Sequence, residues 1–287
     1  GLARGACLSI KTGGEHQFGG DWTARKLEVV GKYLAAYSTA LKDKPSAKRP
    51  FRKAFIDGFA GTGARSDSAA GIAEANEQDS LFPDDPDAES PQVLFDGSAR
   101  IALRTEPAFD RYIFIERSQQ RCNALEELKI EFAPLADRIV IRPGDANAEI
   151  RNLCSKDWSS HRAVMFLDPY GMQVEWATIQ AIASTRAIDL WLLFPLGIGV
   201  NRLLTRSGEI PESWQRRLTL LLGDESWRTD GYSVESQPTL FGDDEARVTK
   251  VAMEVLGAKF KQRLEGIFPG VAEPGMLRNS RGRLLYL

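Results

Sequence analysis

Four short apolar runs, each arriving at a carboxylate, alternate with helix-patterned stretches through the middle of the chain. "AFIDGFAG" (54–61) reaches Asp57, "RYIFIE" (111–116) ends at Glu116, "RIVIRPGD" (138–145) at Asp145 and "AVMFLDPY" (163–170) at Asp168. A fifth run, "AIDLWLLFPLG" (187–197), closes the series. Runs this short and this continuously apolar suit strands buried on both faces, and the intervening helical patterns supply the cover. The alternation predicts an α/β fold with a mostly parallel sheet and helices on both faces. In such a sheet ligands bind outside the carboxyl ends of the strands, at the switch point. All four acidic ends then fall along one edge.

The flanking segments set the rest of the organisation. Residues 1–20 are polar and glycine-rich, and a mobile segment is expected there. Asp21 is a candidate N-cap for a helix carrying Trp22, Leu27, Val30, Leu34, Tyr37 and Leu41 at helical spacing. That helix and a connector, "KDKPSAKRP", occupy 21–50, and the α/β core is expected over 51–200. Within it, about 64–95 lacks periodicity, is rich in Pro and Asp, and reads as a surface insertion. A short helix over about 97–105 follows. "QQRCNALEELKIEF" and "VEWATIQAIAST" read as helices, the second with Trp176, Ile179 and Ile182 on one side. The remainder, 201–287, is expected to be mostly helical, with helices over "PESWQRRLTLLLG" and about 244–265. "LLYL" is expected to begin a late strand of the same sheet in a natural chain that continues.

The loop "GFAGTG" (58–63) decides between ligands. A phosphate-binding P-loop has this glycine spacing but needs lysine where Ala64 stands. A dinucleotide fingerprint needs G-x-G-x-x-G, whereas Gly58, Gly61 and Gly63 give G-x-x-G-x-G. S-adenosylmethionine carries no phosphate and needs only close backbone approach, a carboxylate for its ribose hydroxyls and an acceptor for its adenine amino group. Glu116 and Asp145 stand at the ends of the second and third strands for those roles. Read singly, Glu116 is better explained as a solvated strand-end charge; taken together with Asp57 and Asp145, the ligand reading is preferred.

"DPYG" (168–171) carries the reaction chemistry. Methyl transfer to an exocyclic amine builds positive charge on nitrogen, which a carboxylate and a backbone carbonyl can balance and aim. Asp168 and Pro169 offer these, and Tyr170 can stack on a flat substrate. The competing reading is a plain turn after a strand.

"DGFAGTG", "IFIERS", "GDANAEI", "FLDPYGMQVEW" and "AIDLWLLFPLGIGVNRLL" together resemble the three-Cys-motif partner (TcmP) family. This is a bacterial group related to class I S-adenosylmethionine-dependent methyltransferases. "WTARKLEVVGKYLAAY" and "LRNSRGRLLYL" extend the resemblance over most of 20–287, weakest across 66–95. It implies a Rossmann-like sheet of strand order 3-2-1-4-5-7-6. It also implies cofactor contacts at Asp57, Gly58, Ala60, Gly61, Gly63, Glu116 and Asp145, a reaction site at Asp168, Pro169 and Tyr170, and a companion protein bearing a three-cysteine motif. Two departures stand out. Related amino-methyltransferases carry D-P-P-Y where this chain has one proline. The gap from Asp57 to Glu116 also far exceeds the roughly 20 residues usual between loop and ribose acid.

Three functions follow as expectations. The first is a methyltransferase acting on an amine of a nucleic acid or nucleotide-like substrate. The second is a non-catalytic cofactor-binding module of the companion, and the third a nicotinamide oxidoreductase. Net charge is −2, so no global field selects nucleic acid or membrane. A local basic face from Arg202, Arg206, Arg216, Arg217, Arg228, Arg278, Arg281 and Arg283 competes with ordinary solvated helix faces. Cys7, Cys122 and Cys154 form neither a disulfide framework nor a metal pattern, and only His16 and His161 are present. Free thiols in a reducing, cytoplasmic setting are expected, with no metal and no membrane span.

Overall fold

The structure is a computed structural model and describes residues 22–61, 92–169, 171–205, 209–238, 244–278 and 284–286. Asp21, Gly63, Tyr170, Cys7, residues 1–20 and residues 62–91, which include most of the expected insertion, lie outside the described residues.

Five parallel strands form the central sheet: β1 (Arg52–Asp57), β2 (Arg111–Glu116), β3 (Ile139–Pro143), β4 (His161–Leu167) and β5 (Ile188–Leu192). Their order is β3-β2-β1-β4-β5. The chain steps outward from β1 on one side, then returns to β1's other edge for β4. The switch point of this Rossmann-like sheet therefore lies between β1 and β4. The register sets Asp57 opposite Phe114 on β2 and Phe166 on β4.

Side-chain alternation divides the core into two layers. Phe55, Tyr112, Phe114, Val164 and Phe166 face one way. They pack on Val30 and Leu34 of α1 (Trp22–Ala40), on Ala99, Ala102 and Leu103 of α2 (Gln92–Leu103), and on Leu125 and Leu128 of α3 (Gln119–Glu131). Ile56, Ile115, Met165 and Leu167 face the other way. There they meet Ile150 and Leu153 of α4 (Ala146–Cys154) and Trp176, Ile179 and Ile182 of α5 (Trp176–Thr185). Leu218 and Leu221 of α6 (Glu212–Leu222) complete that layer. Each of the larger aliphatic and aromatic side chains contributes about 1.5–3 kcal/mol by leaving water. Cover on both faces explains why the strands read as unbroken apolar runs.

Three expectations need correction. Helix α2 begins at Gln92 rather than near 97 and runs through Gly97, so 92–95 belong to a helix and not to the insertion. The cost of a mid-helix glycine, about 1 kcal/mol, is outweighed by burial of Ala99, Ala102 and Leu103.

The expected helix over 244–265 is a strand followed by a shorter helix. β6 (Tyr232–Pro238) and β7 (Asp244–Lys250) form an antiparallel pair, and α7 spans Met253–Glu265. Val248 and Thr249 are β-branched and suit the pleat. Val255, part of the expected helical stripe, is 42% exposed. Last, Leu284–Tyr286 pairs antiparallel with Leu277–Arg278 and not with the central sheet. The sheet has no sixth or seventh strand among the described residues.

Candidate ligand site at the carboxyl ends of the strands

Beyond β1 the chain stays between its neighbours. Gly58 N donates to Phe166 O at 3.0 Å and Ala60 N donates to Ile115 O at 3.0 Å. Gly61 then turns with φ 60° and donates its N–H to Glu116 Oε2 at 3.0 Å. The two glycines serve different ends. Gly61 needs the left-handed conformation that glycine adopts without strain. At Gly58 an added Cβ would stand 2.4 Å from Leu167 Cδ2 and 3.1 Å from Ile150 Cδ1. The close approach that excludes a side chain at Gly58 thus comes from the core beneath the loop.

Glu116 is 7% exposed and anchored from both sides. Besides the Gly61 amide, it accepts from Ser118 N through Oε1 at 2.8 Å, and Arg121 Nε lies 3.5 Å from Oε1. Its own carbonyl accepts from Gly144 N, drawing the end of β3 alongside. A carboxylate offers about four lone-pair positions, so two protein amides leave capacity for a pair of ligand hydroxyls.

Asp145 is the N-cap of α4, with Oδ1 accepting from Ala148 N at 2.9 Å. The side chain is exposed, and Oδ2 has no partner among the described residues. It remains available as an acceptor beside the end of β3.

Asp57 and Asp168 complete the edge. Strand alternation carries Asp57, Glu116 and Asp168 to the same side of the sheet, the α1–α3 side. Asp57 is 1% exposed; it accepts from Phe59 N at 3.1 Å and from Ser98 Oγ of α2 at 2.8 Å. Burial pushes its carboxyl up to about 7, the Ser98 and Phe59 hydrogen bonds opposing the rise and the charges of Asp168 and Glu116 adding to it. Asp168 is 2% exposed, and Pro169 is buried beside it. Among the described residues these acids do not assemble into a metal-ligating group.

The segment after Pro169 is tied down by a residue with no sequence signal. Buried Asn147 donates Nδ2–H to Gln173 O at 2.8 Å, while its Oδ1 accepts from Glu175 N at 3.0 Å and Thr178 Oγ at 2.8 Å. Arg151 pairs with Glu175 at 2.6 Å. Helix α4 therefore holds both Asp145 and the backbone leading away from Asp168. Ser98, which orients Asp57, was equally silent in the sequence.

The structure brings Asp57, Gly58, Ala60, Gly61, Glu116, Asp145, Asp168 and Pro169 to one edge; Gly63 and Tyr170 lie outside the described residues. The supposed basic face is less coherent. Arg228 is engaged by Glu225 at 3.1 Å and stacks on Trp227 at 4.5 Å, while Arg206, Arg281 and Arg283 lie outside the described residues. Cys122 and Cys154 are free thiols, and no described helix is long and apolar enough to cross a membrane.

No family model matches the chain, and no curated protein matches it in sequence. Solved structures similar to it include a Legionella pneumophila protein of family DUF519 with 14% identity. That match covers 88% of this chain and 95% of the other, with a TM-score of 0.40. A Galdieria sulphuraria protein assigned as a sarcosine dimethylglycine methyltransferase shows 15% identity over 92% of this chain and 83% of its own, with a TM-score of 0.36. A conserved hypothetical protein of Streptococcus pyogenes shows 13% identity over 70% and 88%, with a TM-score of 0.31. All three scores fall below 0.5, so the Rossmann-like fold rests on this chain's own strand order.

Proposed function

We propose that this protein is an S-adenosylmethionine-dependent methyltransferase acting on an amine of a nucleic acid or nucleotide-like substrate. We further propose that it works with a companion bearing a three-cysteine motif, as its resemblance to the TcmP family implies. The observation that carries the reading is Glu116, fixed at the end of β2 by the Gly61 and Ser118 amides with acceptor capacity to spare. Asp57, Gly58, Ala60, Gly61, Gly63, Glu116 and Asp145 would hold the donor. Bound there, it supplies an electrophilic methyl group on a sulfonium centre. Glu116 accepts the ribose hydroxyls and Asp145, through Oδ2, the adenine amino group. Buried carboxylates at Asp57 and Asp168 favour a cationic ligand over a phosphate-bearing one. Asp168 and the Pro169 carbonyl accept hydrogens from the attacking amine, aim its lone pair and balance the charge forming on nitrogen.

A non-catalytic donor-binding module is favoured by one observation: Asp168 is 2% exposed, which leaves little of its carboxylate open to a substrate. The deciding experiment follows radiolabelled methyl groups into RNA, DNA and nucleotide pools, with and without the companion. Label transferred by the wild type and lost in Asp168→Asn supports catalysis. Donor and companion binding without transfer to any pool supports the module and overturns the enzyme.

A further inference from the structure

An open groove of about 440 Å³ lies at the opposite, amino-terminal end of the sheet, between the α4–β4 connection and the end of α5. The seven residues of β4 separate it from Asp168 by roughly 20 Å. Lys156, Arg162 and Arg186 contribute cations to its wall, Asp157 an anion, and Trp158 a flat apolar surface.

The charges differ in how far they are committed. Arg162 donates to His161 O at 2.6 Å and Trp158 O at 3.2 Å, and its guanidinium lies 3.8 Å over the Phe51 ring. Asp157 accepts from Ser159 N and Ser159 Oγ, both at 2.9 Å, and these bonds hold its carboxyl below the usual range. The side chains of Lys156 and Arg186 have no hydrogen-bond or ion-pair partner among the described residues. Helices α4 and α5 both end here, and their terminal carbonyls each carry about half a negative charge. Three cations against Asp157 and two helix ends leave a surplus of about one positive charge.

Arg186 is also conformationally costly. It closes α5 at φ 50°, ψ 24°, a left-handed position where glycine is the relaxed choice. Strain retained at a groove wall points to a use for the side chain. Burial pushes the Cys154 thiol up to about 11, so it stays protonated and the site is one for binding rather than covalent chemistry.

We propose that this groove binds a small nucleotide through its phosphate monoester. Lys156 and Arg186 take the phosphate, and Trp158 supports the flat base. A volume near 440 Å³ suits a ligand of that size. The site is separate from the donor cleft.

The test is calorimetric titration of the whole chain with AMP, inorganic phosphate and adenosine, repeated with the donor cleft saturated by S-adenosylhomocysteine. AMP should bind more tightly than phosphate, adenosine about tenfold or more weaker than AMP, and S-adenosylhomocysteine should not displace AMP. Arg186→Gly removes the cation while relaxing the backbone, and Lys156 is exposed, so both variants should fold. Each should weaken AMP about tenfold, leaving S-adenosylmethionine affinity unchanged. Four results each overturn the proposal: wild type that fails to bind AMP at millimolar concentration, adenosine binding as well as AMP, displacement by S-adenosylhomocysteine, or undiminished AMP affinity in a folded Lys156→Ala, Arg186→Gly double variant.

Discussion

Asp57→Asn should make the protein more stable, by an amount that grows with pH. Asp57 is buried with a carboxyl raised from an ordinary 3.8 to about 7. The folded state therefore keeps a proton that the unfolded chain has released between those values. Stability must fall as pH rises through this window, and the full penalty is present above about pH 7. The rise corresponds to a ceiling of about 4 kcal/mol. Linkage assigns about 2–3 kcal/mol of it to the interval between pH 5 and pH 8. Asparagine keeps the shape and an acceptor for Phe59 N, and the Ser98 hydroxyl can rotate to accept from the amide. It does not titrate. Urea unfolding of variant and wild type at both pH values isolates the effect of the Asp57 charge, including its coupling to Asp168 and Glu116, because groups that do not interact with it cancel in the difference. The variant's advantage should be about 2–3 kcal/mol larger at pH 8. An advantage that is equal at the two pH values, or a variant less stable at pH 8, would refute the reasoning. The same charge should make donor binding tighten from pH 6 to pH 8, since a cation beside Asp57 favours its ionised form.

Other variants probe separate parts of the account. Asp168→Asn should cut methyl transfer about 100- to 1,000-fold, while donor affinity measured by calorimetry changes far less; wild-type turnover would leave the segment as a turn. Trp176→Ala should cost about 3–5 kcal/mol in urea unfolding, because the ring packs against Phe260 and the Gly223 backbone. Gly58→Ala forces its methyl onto Leu167 and should lower stability by about 1–3 kcal/mol. A fully stable variant would show that Leu167 gives way. Asn147→Ala leaves Gln173 O and Glu175 N without their partner and should destabilise by about 1–3 kcal/mol, read as a lower midpoint in urea.

The central sheet was legible because burial on both faces leaves a simple pattern of short apolar runs, each halted by a group that cannot be buried cheaply. The strand ends at Asp57, Glu116 and Asp168 followed from the same rule, and Trp176, Ile179 and Ile182 from helical spacing. What escaped the sequence depends on distant partners. Val248 fits the expected helical stripe as well as a strand, and Val255 of the same stripe does lie in α7; only pairing of Asp244–Lys250 with the polar stretch from Tyr232 to Pro238 decides for a strand at Val248. Gly58 looks like a ligand-approach glycine until Leu167, over a hundred residues away, is seen to fill the space. Ser98 and Asn147 are lone polar residues whose importance arises only where the fold sets them against Asp57 and the backbone beyond Asp168.

The central claim is that the carboxyl end of the sheet holds S-adenosylmethionine through Glu116. Calorimetric titration of wild type and Glu116→Ala with S-adenosylmethionine and its demethylated product tests it most directly. Thermal unfolding of the variant serves as a check, because Glu116 also anchors Gly61 and Ser118. Two charge-assisted hydrogen bonds are worth about 1.5–3 kcal/mol each before costs. The wild type should bind, and the folded variant should bind at least about tenfold more weakly. Equal affinity in a folded Glu116→Ala, or a wild type that binds neither compound at millimolar concentration, would contradict it.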